Sequence, residues 1–134
     1  MKHLIFRKLI IITCLLICIN ASAYEYYIDG IYYNRDYRYG EHSLEVTYMD
    51  SNNNGNAYSG EVNIPGYIEY RGSWFYVRSI GNDAFSNCKN LTHITIPENI
   101  DLIKNNSFRG CHELVSISID SNNETYYSEG NSFI

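Results

Sequence analysis

Residues 77–120 state the same pattern twice. VRSIGNDAFSNCKNLTHITIP (77–97) is followed by IDLIKNNSFRGCHELVSISID (100–120), offset by 23 residues. Across that offset Val77 matches Ile100, Ile80 matches Ile103, Phe85 matches Phe108 and Cys88 matches Cys111. Leu91, Ile94 and Ile96 match Leu114, Ile117 and Ile119 in the same way. Every matched position is apolar, whereas the positions between them drift among Ser, Asn, Asp, Lys, His and Glu. Fixed apolar positions between freely varying polar ones describe a core-facing skeleton with a solvated exterior. A period of this length with an L-x-x-I-x-I core predicts a solenoid in which each coil contributes one short strand and one return segment.

Each coil reads I-x-x-x-[AS]-F-x-x-C-x-x-L-x-x-I-x-I, and over residues 77–119 this resembles the BspA-like leucine-rich repeats of bacterial surface proteins. Upstream, YSGEVNIP (58–65) and YRGSWFYV (70–77) are similar to the N-terminal module that precedes such repeats. The resemblance implies a mostly β fold: a short leucine-rich-repeat solenoid of two full units with a hairpin-rich N-terminal β cap. It also implies adhesion to host or neighbouring-cell proteins at the cell surface.

The expected organisation is a leader over residues 1–23, a β-rich cap over 24–76, the two repeats over 77–120 and a partial unit over 121–134. Lys2, Arg7 and Lys8 precede eleven uncharged residues and the Ala21-Ser22-Ala23 cleavage site, which is the order of a secretory signal peptide. The apolar run is too short for a span, which needs roughly 20 residues. Thr13 and Ile17, before Cys14 and Cys18, argue against a lipid anchor. Cleavage after Ala23 leaves seven basic against fifteen acidic residues, a net charge of −8, and this disfavours nucleic acid and anionic membrane surfaces as partners. The expected location is the cell surface or the medium, with no stable membrane span after cleavage.

Cys88 and Cys111 remain in the exported chain and occupy the same slot one period apart, about 4.8 Å from each other in a solenoid. Stacked buried thiols and a disulfide both fit that placement. No C-x-x-C or C-x-x-H spacing accompanies them, so no metal site is expected.

Within the cap, Asp29-Gly30 between aromatic and β-branched residues predicts one hairpin, and Arg71-Gly72 marks the turn of a second over 67–77. SLEVTY (43–48) alternates as a half-buried strand. The Asn-rich stretch 49–59 reads as a loop. Asp50, Asn52, Asn54, Gly55 and Glu61 fall at calcium-loop positions, but no helical pattern flanks them, so the loop reading is preferred. The return segments 80–85 and 103–108 predict a turn or two of helix or 3-10 helix with Phe85 and Phe108 plugging the interior. In the second hairpin Phe75 and Val77 point inward, and Trp74 on the opposite face needs cover, for which the Tyr-rich first hairpin is available.

No motif supports catalysis or a cofactor. His42, His93 and His112 lie in no nucleophile elbow or H-E-x-x-H pair, and no Gly-rich phosphate loop is present. The chain is therefore read as a non-enzymatic binding scaffold. Its candidate contact residues are Thr92, His93 and Thr95 on the first repeat strand and Ser116 and Ser118 on the second, flanked by Val115. A reading of a different class is glycan recognition by Trp74 and exposed tyrosines. Two full units are few for a stable array, so either the chain is a truncated reading of a longer repeat protein or its open edge pairs with another molecule, edge to edge.

Overall fold

The computed structural model describes residues 23–50, 57–129 and 132–133. The leader up to residue 22, together with Asn52, Asn54 and Gly55 of the calcium-like pattern, lies outside the described residues.

The regular structure is almost entirely β, with one short 3-10 turn at Tyr37–Tyr39. The strands are β1 (Tyr26–Ile28), β2 (Ile31–Arg35), β3 (Ser43–Thr47), β4 (Gly60–Asn63), β5 (Tyr67–Tyr70) and β6 (Ser73–Ile80). After these come β7 (Leu91–Ile96), β8 (Leu102–Ile103), β9 (Ser116–Ile119), β10 (Ser128–Glu129) and β11 (Ser132–Phe133). Two hairpins form where the turn residues demanded them. Asp29 and Gly30 take φ of 49° and 85° between β1 and β2, and Arg71 and Gly72 take 53° and 79° between β5 and β6. Two consecutive left-handed residues are what a tight hairpin with the right-handed strand twist requires.

The repeats build a parallel sheet in the order β4-β7-β9, with Val62 beside Ile94 and Ile94 beside Ile117. A second sheet, in the order β1-β2-β3-β6-β5 with β8 on β6, closes the other side. Here too the repeat period is visible: parallel pairs set Val46 beside Ile80 and Ile80 beside Ile103. Between the sheets three rings stack along the solenoid axis. Tyr58 lies 4.7 Å from Phe85, and Phe85 lies 5.4 Å from Phe108 with planes only 6° apart.

The same ladders extend upstream of residue 77: β3 joins the back sheet beside β6, Tyr58 packs on Phe85 and β4 joins the repeat sheet beside β7. Ile64 continues that strand by donating its N–H to Thr95 O at 3.1 Å. The hairpin β5–β6 is then an insertion between two coils.

The strand 43–47 is also more enclosed than its alternation predicted. Ser43 and Thr47 are buried along with Leu44 and Val46, because β3 is central in its sheet and the 3-10 turn folds over its outer face. Asp36 caps that turn. Its Oδ1 accepts from Arg38 Nε at 2.8 Å, and its Oδ2 accepts from Arg38 Nη2 at 2.6 Å and from the buried Ser79 Oγ at 2.5 Å. Burial alone would push the Asp36 carboxyl up, but the bonds from Arg38 and Ser79 outweigh it and hold the group below the usual carboxylate range. Glu45 extends the network to the second repeat, with Arg38 at 3.1 Å and Lys104 at 2.5 Å from its Oε2.

The return segments form no helix. Successive i to i+3 turns run from Gly81 O to Ala84 N and from Asp83 O to Ser86 N, but Asp83, Asn87 and Asn106 adopt left-handed φ of 56° to 58°. Helical propagation fails at such residues. In the first return segment the N–H groups bond sideways to the next coil instead, Asp83 N to Asn105 O at 3.2 Å, Phe85 N to Ser107 O at 2.8 Å and Asn87 N to Arg109 O at 2.6 Å. Phe85 plugs the interior as expected, whereas Phe108 is half-buried.

Cys88 and Cys111 are free thiols, and Cys111 Sγ donates to Phe85 O at 3.0 Å. Burial pushes both up, Cys111 to about 11. Beyond the second repeat, Tyr126 folds back so that its hydroxyl accepts from Ile103 N at 3.0 Å, and β10 and β11 pair antiparallel.

Candidate functional site

The repeat sheet turns Leu91, Ile94 and Ile96 into the core, all of them buried, so the intervening side chains face solvent. Parallel register aligns those outward residues across strands. Glu61, His93 and Ser116 form one row, and Asn63, Thr95 and Ser118 form the next. Thr92 falls outside this grid. It is the extra residue where Gly60 opposes Leu91 and Glu61 opposes His93, a bulge that brings Thr92 Oγ1 to 3.0 Å from His93 Nδ1. Val115 stands beside the rows with 66% of its surface exposed.

Four of the six sequence-derived candidates, His93, Thr95, Ser116 and Ser118, thus share the two rows, and Thr92 stands at the bulge beside His93. Trp74 lies apart, because it projects from β6 in the other sheet. Glu61 and Asn63 were missed, although a signal was present: Val62-x-Ile64-Pro65 echoes Ile94-x-Ile96-Pro97. Glu61 Oε1 accepts from Asn63 Nδ2 at 3.3 Å, so the two rows are linked at their first strand. The face offers a carboxylate, an imidazole, an amide and hydroxyls on a rigid flat grid, suited to hydrogen bonding with a partner's surface.

Trp74 is not covered by the first hairpin. That hairpin curls toward the inner side of its sheet, where Tyr26 packs 5.7 Å from Tyr70 and 6.1 Å from Phe75. Trp74 stays outside, 52% exposed, beside Tyr67 at 60% and Tyr76 at 49%. The Tyr67 and Trp74 rings meet edge to face at 5.6 Å, and Tyr67 is the direct cross-strand partner of Tyr76. With Glu98 and Asn99 from the bend after β7, the three rings line an open depression of about 530 Å³.

Among the described residues no three His, Cys, Asp or Glu side chains are grouped to hold a metal ion, and no helix is long and apolar enough to cross a membrane.

Comparison with known proteins agrees with this architecture. The sequence model of the BspA type leucine rich repeat region (6 copies) matches residues 61–133, over half of the chain and starting within β4. A leucine-rich repeat protein from Bacteroides ovatus ATCC 8483 superposes with a TM-score of 0.61 at 31% identity, over 74% of this chain and 24% of that one. A leucine rich cell surface protein from Faecalibacterium prausnitzii A2-165 gives 0.56 at 22% identity, over 72% and 24%. A leucine-rich repeat protein from Bacteroides capillosus ATCC 29799 gives 0.55 at 18%, over 70% and 64%. The last two likenesses are of fold alone, and the present chain spans about a quarter of the first two proteins. A comparison with curated proteins finds no match. Repeat period, parallel ladders and sequence match together place the chain in the BspA-type leucine-rich repeat family.

Proposed function

We propose that the chain is an exported, non-enzymatic scaffold that binds a protein at the cell surface through the outer face of its repeat sheet. The observation that carries this reading is the pair of cross-strand rows, Glu61–His93–Ser116 and Asn63–Thr95–Ser118. The inward residues of the same strands are consumed by the core, while these are held in register by parallel pairing and left to solvent. A preorganised polar face with an exposed apolar neighbour, Val115, has the composition of an interface rim and its first anchor. The net charge of −8 after the leader supports a protein partner over nucleic acid.

The test has two arms. Protease shaving of intact cells is expected to release peptides of the repeat region. Binding of the purified chain to extracellular-matrix proteins and to neighbouring cells, measured by surface plasmon resonance and cell adhesion, is expected to weaken at least about tenfold in a Thr95→Arg/Ser118→Arg double variant, roughly 1.4 kcal/mol. Retention of the protein inside the cell, or a double variant that binds as well as the original chain at equal melting temperature, would overturn the reading.

A further inference from the structure

We propose that Tyr67, Trp74 and Tyr76, with Glu98 and Asn99, form a second binding site, a shelf for a neutral glycan, separate from the repeat-sheet face. Large aromatic side chains bury when they can, and this chain buries Tyr33, Tyr58 and Phe85. Three that remain about half exposed and adjacent form a surface in want of a ligand. Their spacing is fixed by strand geometry: Trp74 and Tyr76 alternate onto one face of β6, and Tyr67 stands opposite Tyr76 on β5.

The rim comes from a different part of the fold. Glu98 and Asn99 belong to the bend that follows the first repeat strand, and Asn99 is locked there by donating Nδ2 to Gly66 O at 2.9 Å. A Cβ on Gly66 would stand 3.2 Å from that same Nδ2, so the residue before Tyr67 is small enough to let the bend approach. Glu98 and Asn99 line the depression, so its rim carries a carboxylate and a carboxamide whose oxygens accept hydrogen bonds, and among the described residues no Lys or Arg lines it.

That chemistry selects the ligand. A pyranose presents an apolar C–H face that stacks on aromatic rings, and hydroxyls around its edge that donate to carboxylate and amide oxygens. Anionic sugars and phosphates are disfavoured because no cation lines the site. A proline-rich peptide also docks on aromatic surfaces, but its prolines carry no N–H to give to the Glu98 carboxylate, whereas sugar hydroxyls do donate. The depression is open rather than enclosed, so it fits one face of an oligosaccharide lying along the hairpin and predicts modest affinity.

Trp74 is the single tryptophan of the sequence, so its emission reports on this site without interference. Calorimetric titration of the whole chain with gluco-, manno-, xylo- and N-acetylhexosamine tetramers, followed in parallel by Trp74 fluorescence, is expected to give saturable binding of at least one. The expected Kd is on the order of 0.1–1 mM, with a blue shift of the emission. By calorimetry, Trp74→Ala abolishes that binding, while Tyr76→Ala and Glu98→Gln each weaken it about tenfold. All three keep the far-UV spectrum and the melting temperature, because their side chains lie outside the core. The Thr95→Arg/Ser118→Arg variant of the repeat face leaves sugar binding unchanged, so failure here and failure of the protein-binding reading are separately visible. The inference is overturned by no saturable response to any tetramer up to about 10 mM. It is also overturned by binding that survives Trp74→Ala, by a response confined to a proline-rich decapeptide, or by an emission change that follows self-association of the chain instead of added sugar.

Discussion

Replacing Phe85 by alanine removes the middle ring of the stack that joins three coils. Phe85 is fully buried and meets Tyr58 on one side and Phe108 on the other, at 4.7 Å and 5.4 Å between centroids. Truncating a buried Phe to Ala costs about 3–5 kcal/mol, and with a ring on both sides this site belongs in the upper half of that range. Phe108 is half-buried, so Phe108→Ala is expected to cost about half as much, roughly 2 kcal/mol. The backbone is not the variable here. Phe85 N bonds to Ser107 O, and Phe85 O accepts from Cys88 N and Cys111 Sγ, whatever side chain the position carries. Equilibrium urea unfolding, read by circular dichroism, measures both values, and a double-mutant cycle should give a coupling of about 0.5–1.5 kcal/mol between the two rings. A loss of about 4 kcal/mol takes most of the stability of a small domain, so Phe85→Leu, expected to cost about 1–2 kcal/mol, provides a folded point on the same scale. Equal costs at Phe85 and Phe108, or a coupling indistinguishable from zero, would refute the axial stack as the element that transmits stability between coils.

Asp36→Ala removes the shorter carboxylate bonds of Ser79 and Arg38, leaving them Glu45 at 3.2 Å and 3.1 Å, and should cost about 1.5–3 kcal/mol at neutral pH. Because the folded carboxyl is held below its ordinary value of 3.8, its contribution is complete above that value and is lost as pH falls through the lower, folded one. Acid titration of the melting temperature should therefore fall less steeply below about pH 4 in the variant than in the original chain, and parallel curves would contradict the assignment. Tyr58→Phe removes a hydroxyl that donates to Thr47 O at 2.6 Å and accepts from Tyr32 N at 3.1 Å, orphaning an acceptor and a donor at the joint between hairpin and solenoid. The expected loss is about 1–3 kcal/mol by thermal melting, against no measurable change for Tyr127→Phe at an exposed position.

The repeats at 77–120 were legible because burial in a solenoid falls on the same positions in every coil, and the two full coils share length and residue types. The hairpin turns were legible because Asp-Gly and Arg-Gly precede and follow β-rich runs. The matching roles of β3, Tyr58 and β4 were not, for a geometric reason. Val46 and Val62 stand sixteen residues apart where Ile80 and Ile94 stand fourteen, and the interior ring comes from Tyr58, just before the strand, instead of from a position equivalent to Phe85. An aromatic plug sits between the two sheets, and here Tyr58 supplies it. A search for matched spacing passes over such a stretch, while the strand motif it retains, Val62-x-Ile64-Pro65, is too short to stand alone.

The same reasoning separates what a sequence can say about the two surfaces. On the repeat face, each strand reveals its own outward residues by alternation, as at Thr95 and Ser118. Their neighbours on β4 depended on recognising that a third strand joins the sheet. The left-handed residues show a related limit: the N–H groups of Asp83 and Asn87 reach Asn105 O and Arg109 O, partners about one period away that no local pattern reveals. The aromatic shelf is harder still. Tyr67, Trp74 and Tyr76 sit within ten residues, but Glu98 and Asn99 reach them only because the hairpin is inserted between coils and folds beside the bend of the following one. No periodicity relates those positions, so the rim that distinguishes a sugar from a peptide emerges only from the way an insertion packs against the repeat it interrupts.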